Sequence, residues 1–117
     1  IPTWLNEGLA MQLAGDPWQD VTRVTPGEHS LVPLTALEGS WESLPAEKVS
    51  LAYMEANAAT HYLIERFGMH KVHEVLLHLK ARQTISAAMQ DRLLLSYDHF
   101  QQQWADSLVS TVAQPKS

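Results

Sequence analysis

The stretch PTWLNEGLA, residues 2–10, decides how the rest of the chain is arranged. It predicts the start of a helix, because Thr3 is an acceptable N-cap and no cluster of helix-breaking residues follows before Gly15-Asp16-Pro17. Apolar side chains spread around nearly the whole circumference of this helix, so we expect the helix to be buried. Glu7 lies inside the apolar run, and a buried carboxylate is costly unless an opposite charge or a metal ion meets it. Gly8 leaves room for the backbone of a neighbouring element.

Length and composition describe one folded domain with few charges. The chain has 117 residues, of which 45% are hydrophobic, and this favours a single domain over residues 1–117 with a frayed tail at 113–117. The net charge of -5 argues against a general nucleic-acid-binding surface. The sequence has no cysteine, which excludes disulfides and cysteine-bound zinc but leaves the localisation unknown. No apolar run approaches the roughly 20 residues needed to span a bilayer.

An irregular connection is expected after the first helix. Prolines and glycines interrupt residues 17–46, and within this connection we predict a short helix near Leu34–Glu38. The alternation in Val21–Thr25 is typical of a short strand. We expect Trp18 and Trp41 to pack the connection against the core.

The longest predicted helix runs from Ala46 to Phe67, with Gly68 at its C-terminal end. On a helical wheel, one narrow stripe combines three alanines with two larger residues: Ala52, Ala56, Ala59, Leu63 and Phe67. Alanines on a stripe indicate close approach of a neighbouring helix, which we expect to be the first one.

Three shorter helices are expected in the last third of the chain. The third helix spans His70–Arg82, Thr84 or Ser86 caps a fourth that ends near Leu95, and Ser96 caps a fifth. Apolar side chains recur along the fifth helix in the order Tyr97, Phe100, Trp104 and Leu108, a spacing typical of a core-facing stripe. The predicted fold class is therefore all-α: a bundle of about five helices with a long irregular connection after the first.

The residues WLNEGLA at positions 4–10 resemble the third-ligand segment of the gluzincin zinc metallopeptidases, most closely the peptidase MA-like group. In that family an upstream His-Glu-x-x-His helix supplies two histidine ligands and the general base, and the glutamate of the Asn-Glu-Gly segment supplies the third ligand. The resemblance implies that Glu7 is a zinc ligand and Asn6 its supporting neighbour. Residues 1–117 contain no His-Glu-x-x-His, so the resemblance is to the C-terminal helical part of such an enzyme.

The order YMEA at residues 53–56, with Gly68 further along, resembles the Tyr-Glu-Lys-Gly segment of the related aminopeptidases. In those enzymes the tyrosine donates a hydrogen bond to the oxyanion of the tetrahedral intermediate, which implies the same catalytic role for Tyr53. The two residues after Tyr53 depart from that pattern, and Ala56 replaces its glycine. A tyrosine at the edge of the core, with its ring inward and its hydroxyl in water, is the alternative interpretation.

The resemblance implies hydrolysis of peptide bonds by zinc-activated water in the intact protein. The expected partners are the N-terminal catalytic part of the same protein and a peptide or protein substrate. We expect neither peptidase activity nor tight zinc binding from residues 1–117 alone, because one carboxylate cannot make a site.

Two alternatives stay open. The first is a non-catalytic helical module that binds other proteins and is derived from the same fold. The second is an independent metal site at His73 and His78, in the sequence HEVLLH. That sequence has one residue too many for the usual zinc-binding helix, so its two imidazoles are expected about 140° apart around the axis.

Overall fold

The computed structural model describes residues 1–15 and 32–113. These residues form five α-helices and one short 3-10 helix, in the order α1 Thr3–Leu13, the 3-10 helix Leu34–Leu37, α2 Ala46–Phe67, α3 Met69–Lys80, α4 Ile85–Leu93 and α5 Tyr97–Ala113. No strand occurs within the described ranges, and the all-α prediction is confirmed. The expected strand Val21–Thr25, Trp18 and the last four residues of the frayed tail lie outside them.

Helix α1 buries one face only, so the prediction of a wholly buried helix was wrong. Its buried residues are Trp4, Leu5, Gly8 and Leu9. Ala10 and Leu13 are exposed, since α2 and the 3-10 helix cover α1 from one side. The predicted cap was also wrong. Pro2 is the N-cap residue, and the Thr3 hydroxyl instead donates to the carbonyl oxygen of Glu38 at 3.0 Å.

Helix α2 meets α1 at a contact made of small residues. A β-carbon added to Gly8 would lie 2.7 Å from Cβ of Thr60 and would clash with the carbonyl oxygen of Ala56. Ala52, Ala56 and Ala59 are fully buried along α2. The close approach that the alanine stripe predicted is therefore confirmed, and the missing side chain of Gly8 makes it possible.

Stacked aromatic rings join α1 to α5. The centroid of the Trp4 ring lies 6.5 Å from that of Tyr97 and 6.2 Å from that of Phe100, both in stacked orientation. The Trp4 indole Nε1 also donates a 2.9 Å hydrogen bond to the Tyr97 hydroxyl. These three residues and Trp104 are buried, so the stripe on α5 is core as predicted. The side chain of Leu108 lies outside the described part.

The ends of the later helices follow from local chemistry. Gly68 ends α2 with a φ of 87°, which glycine adopts without strain. The Thr84 hydroxyl accepts the backbone N–H of Ala87 and caps α4, while the Ser96 hydroxyl accepts that of His99 at the start of α5. None of the described helices is both long and apolar enough to cross a bilayer.

Candidate functional site

Glu7 lies on the second turn of α1, next to the glycine that contacts α2. Its side chain is half-buried, and no described residue forms an ion pair or hydrogen bond with its carboxylate. An opposite charge that would offset the cost of burying Glu7 is therefore not found within residues 1–15 and 32–113. A half-buried carboxylate that is not engaged in this way keeps its oxygens available to a ligand.

Asn6, the predicted supporting neighbour, has an exposed side chain. Its backbone N–H donates to the carbonyl oxygen of Pro2 at 3.0 Å, as part of the first helical turn. That hydrogen bond fixes the backbone immediately before Glu7.

Tyr53 lies on the second turn of α2 and remains 42% exposed. Its ring meets the ring of Trp41 in an edge-on contact, with centroids 4.9 Å apart and planes at 82°. Trp41 is itself buried, as predicted for an anchor of the connection. One side of the Tyr53 ring is therefore held by protein while part of the side chain stays open to solvent.

The crossing of α1 and α2 relates the two predicted site residues. Gly8 faces Ala56 and Thr60 at that crossing, and Glu7 is the residue before Gly8. Tyr53 precedes Ala56 by three residues, a spacing that brings side chains to neighbouring positions along one helix. The fold thus places Tyr53 within about one helical turn of the crossing beside which Glu7 lies.

Glu55 is a second notable carboxyl group, and no motif in the sequence assigns it a role. It is fully buried, and its Oε1 accepts the backbone N–H of Val32 at 2.7 Å. Burial raises the pKa of Glu55 to about 7, while the hydrogen bond from Val32 and the charge of Lys48 act in the opposite direction. Its place on the flank of the alanine stripe was a signal of burial, but Val32 lies 23 residues away and no sequence pattern pairs the two.

The two histidines of the alternative metal site have different surroundings. His73 is exposed on α3. His78 is half-buried, with Nε2 at 3.3 Å from Asp91 on α4 and Nδ1 at 2.8 Å from Gln83. Within the described ranges, no three histidine, aspartate or glutamate side chains come together as a metal site would require.

The same finding bears on zinc at Glu7. Catalytic zinc usually takes three protein ligands, and no such group of three includes Glu7 within residues 1–15 and 32–113.

The sequence was compared with models of known protein families. The family model described as Peptidase MA superfamily matches residues 1–110. The chain belongs to the peptidase MA superfamily. The match includes both Glu7 and Tyr53, and it confirms the family resemblance of the WLNEGLA stretch. Comparisons with curated proteins and with solved structures found no match.

Proposed function

We propose that this chain is the C-terminal helical part of a zinc-dependent metallopeptidase. Glu7 is the third zinc ligand, supported by Asn6, and Tyr53 stabilises the oxyanion. Two histidine ligands and the general base come from a His-Glu-x-x-His segment outside residues 1–117. The partners are that N-terminal catalytic part and a peptide or protein substrate. The observation that carries the proposal is the half-buried Glu7, which has no partner among the described residues of a chain in the peptidase MA superfamily.

The setting of Glu7 suits a ligand that must be held in place. Gly8 and the buried alanines of α2 fix α1 against the longest helix of the chain, so the backbone that carries Glu7 cannot shift without disturbing the core. A carboxylate oxygen is a common ligand of catalytic zinc beside two imidazoles, and zinc bound in this way lowers the pKa of its water to about 7.

The setting of Tyr53 suits a hydrogen-bond donor to substrate. Its side chain is 42% exposed, so a substrate peptide can reach it, while Trp41 supports the ring from one side. When water adds to a peptide carbonyl, negative charge develops on the carbonyl oxygen. One preorganised donor to that oxygen is worth about 2.7–4 kcal/mol of transition-state stabilisation.

The test compares residues 1–117 alone with the parent protein that includes the His-Glu-x-x-His segment. We expect stoichiometric zinc and cleavage of fluorogenic peptides from the parent only. Glu7→Gln removes zinc measured by atomic absorption, whereas Glu42→Gln, at an exposed position, leaves zinc and activity unchanged. Tyr53→Phe keeps the zinc and lowers kcat by about 10²–10³-fold with a smaller effect on KM.

Two outcomes would contradict the proposal. Tight stoichiometric zinc binding by residues 1–117 alone would mean that the ligands lie within this chain. A parent protein that binds no zinc and cleaves no peptide would favour the non-catalytic protein-binding module.

A further inference from the structure

Glu55 is a fully buried acidic residue that the proposed mechanism does not use. Its Oε1 holds the backbone N–H of Val32, while Oε2 is buried without a hydrogen-bond partner in the described part of the chain. A buried oxygen without a partner lowers stability, and an apolar side chain of similar volume would avoid that loss. The carboxyl group therefore points to a task other than stabilising the core.

The hydrogen bond to Val32 starts a chain of contacts. Residues 32–41, here called the bridge segment, include the 3-10 helix. The backbone N–H of Leu34 donates to Oε1 of Gln101 on α5 at 2.7 Å. Further along, the indole Nε1 of Trp41 donates to the carbonyl oxygen of Leu37 at 3.0 Å. Successive hydrogen bonds thus hold the bridge segment from its first residue to its last.

Both ends of the bridge segment rest on α2. Val32 is bound by Glu55, and Trp41 contacts the ring of Tyr53. Residues two positions apart on an α-helix point about 200° apart around its axis. The side chains of Glu55 and Tyr53 therefore project from nearly opposite sides of α2. The bridge segment therefore runs from the buried side of α2 to the side on which Tyr53 is partly exposed.

Tyr53 depends on this segment for its orientation. A partly exposed tyrosine has several staggered side-chain conformations available, and an edge-on aromatic neighbour favours one of them. Trp41 supplies that neighbour, with ring centroids 4.9 Å apart. If the start of the bridge segment is released, Trp41 loses one of the anchors that set its position.

We propose that Glu55 is a positioning residue for Tyr53: it holds Val32, and through the bridge segment it sets the Trp41 ring against the Tyr53 ring. This inference rests on the proposed function in one respect, the catalytic role of Tyr53. The positioning itself is a property of residues 1–117 and is measurable without zinc or substrate.

Two substitutions at Glu55 separate positioning from packing. Glu55→Gln keeps a carbonyl oxygen that accepts the Val32 N–H, whereas Glu55→Met fills a similar volume and removes the acceptor. A role in packing alone predicts the same result for both variants. A positioning role predicts that only Glu55→Met disturbs Tyr53.

The measurement is ¹⁹F NMR of residues 1–117 labelled with 3-fluorotyrosine. The chain has three tyrosines, and Tyr53→Phe assigns the signal of interest. We expect Glu55→Met to move the Tyr53 signal toward that of free fluorotyrosine, in the same direction as Trp41→Leu. Glu55→Gln leaves it near the wild-type position. The signal of Tyr62 stays in place in both variants, whereas Tyr97 is not a reference because its hydroxyl interacts with Glu38 of the bridge segment.

Several results would overturn the inference. These are an unchanged Tyr53 signal in folded Glu55→Met, an equal displacement in Glu55→Gln, or comparable displacements of the Tyr53 and Tyr62 signals. If Glu55→Met does not fold, Val32→Pro removes the hydrogen-bond donor while leaving Glu55 intact, and the Tyr53 signal must then move in the same way.

In the active parent protein, Glu55→Met lowers kcat but adds no further loss to Tyr53→Phe. An inactive parent would contradict the proposed function and leave the NMR result standing.

Discussion

At the scale of single residues, surroundings give two glutamates different chemistry. Glu7 is half-buried and has no partner among the described residues. Its carboxylate is therefore compatible with the predicted role of a metal ligand. Glu55 is fully buried and bound to the backbone of Val32. Burial raises its pKa to about 7, since the charged form loses its hydration and gains one backbone hydrogen bond in return.

The raised pKa of Glu55 makes stability depend on pH. Its pKa is about 7 in the folded chain, against 4.5 for a glutamate in water, so the folded state binds the proton more tightly than the unfolded state. The resulting stabilisation is complete below pH 4.5 and is lost as the pH rises through 7. The Gln side chain in Glu55→Gln does not titrate. Between pH 4 and pH 8, the free energy of unfolding of this variant therefore rises by up to about 3 kcal/mol relative to that of wild type.

Urea denaturation of both proteins at several pH values measures this difference. Glu42→Gln serves as the control, because Glu42 is exposed and its substitution removes the same charge from the surface. Parallel pH profiles for wild type and Glu55→Gln would show that Glu55 is ionised in the folded chain as readily as in the unfolded one.

At the scale of elements, the crossing of α1 and α2 sets the position of the predicted site. Helix α1 has 11 residues and no side-chain cap at its start. An isolated helix of that length is only marginally stable in water, so its packing against α2 must supply most of its stability. The contact at Gly8 is therefore both a packing feature and the support of Glu7.

We expect Gly8→Ala to destabilise the chain by about 1–3 kcal/mol, although alanine is the better helix former. The added β-carbon meets Thr60 and the backbone oxygen of Ala56. Adding Thr60→Ala recovers only part of the loss, because the Ala56 oxygen stays. Gly39→Ala is the matched control, since nothing lies within 4 Å of a β-carbon there.

Thermal and urea unfolding measure both substitutions. A Gly8→Ala protein as stable as wild type would mean that α1 moves away from α2 at little cost. The same shift would displace Glu7, so loss of zinc in the Gly8→Ala parent protein is the corresponding functional outcome.

At the scale of the whole molecule, Trp4 joins the beginning of the chain to its end. Its ring stacks on Tyr97 and Phe100 of α5, and its indole N–H donates to the Tyr97 hydroxyl, 93 residues away. Thr3 is bound at the same time to Glu38, the residue after the 3-10 helix. The start of α1 therefore contacts both the segment around the 3-10 helix and the last helix of the bundle. These contacts lie one helical turn before Glu7.

Tyr97→Phe tests this connection. The substitution keeps the stacked ring and leaves the buried Trp4 N–H without its acceptor, so we expect a loss of about 1–3 kcal/mol in the free energy of unfolding. Tyr62→Phe is the control, because Tyr62 is half-buried and its ring contact with Phe100 is retained. Equal stability of the two variants would show that the Trp4 hydrogen bond contributes nothing measurable.

Much of the local structure was predictable from the sequence because its signals lie within one or two helical turns. The bounds of α2 and its end at Gly68 were as predicted, and Thr84 and Ser96 cap the helices assigned to them. Helix α4 ends at Leu93, two residues early, because Leu94 adopts a left-handed φ of 55° that apolar periodicity does not reveal.

The predicted site could be read only in part. The WLNEGLA stretch singled out Glu7 and the family, and the match over residues 1–110 confirmed the family. The roles of Glu7 and Tyr53 remain predictions. The sequence did not indicate that Trp41 holds the Tyr53 ring, because that contact depends on how the connection folds back over α2.

By itself the sequence determined the order of the five helices, the caps of α4 and α5 and the family, since each depends on neighbours along the chain. Only the tertiary structure decided that Thr3 binds Glu38 instead of capping α1, that α1 is covered on one side, and that Glu55 holds Val32. Their physical reason is the same: the partner is 23 or more residues away, and only the packing of α1, α2 and the bridge segment brings it within reach. Glu7 depends on both the local sequence and the tertiary structure. Its motif lies within one stretch of the chain, whereas its position is fixed by the crossing of α1 and α2.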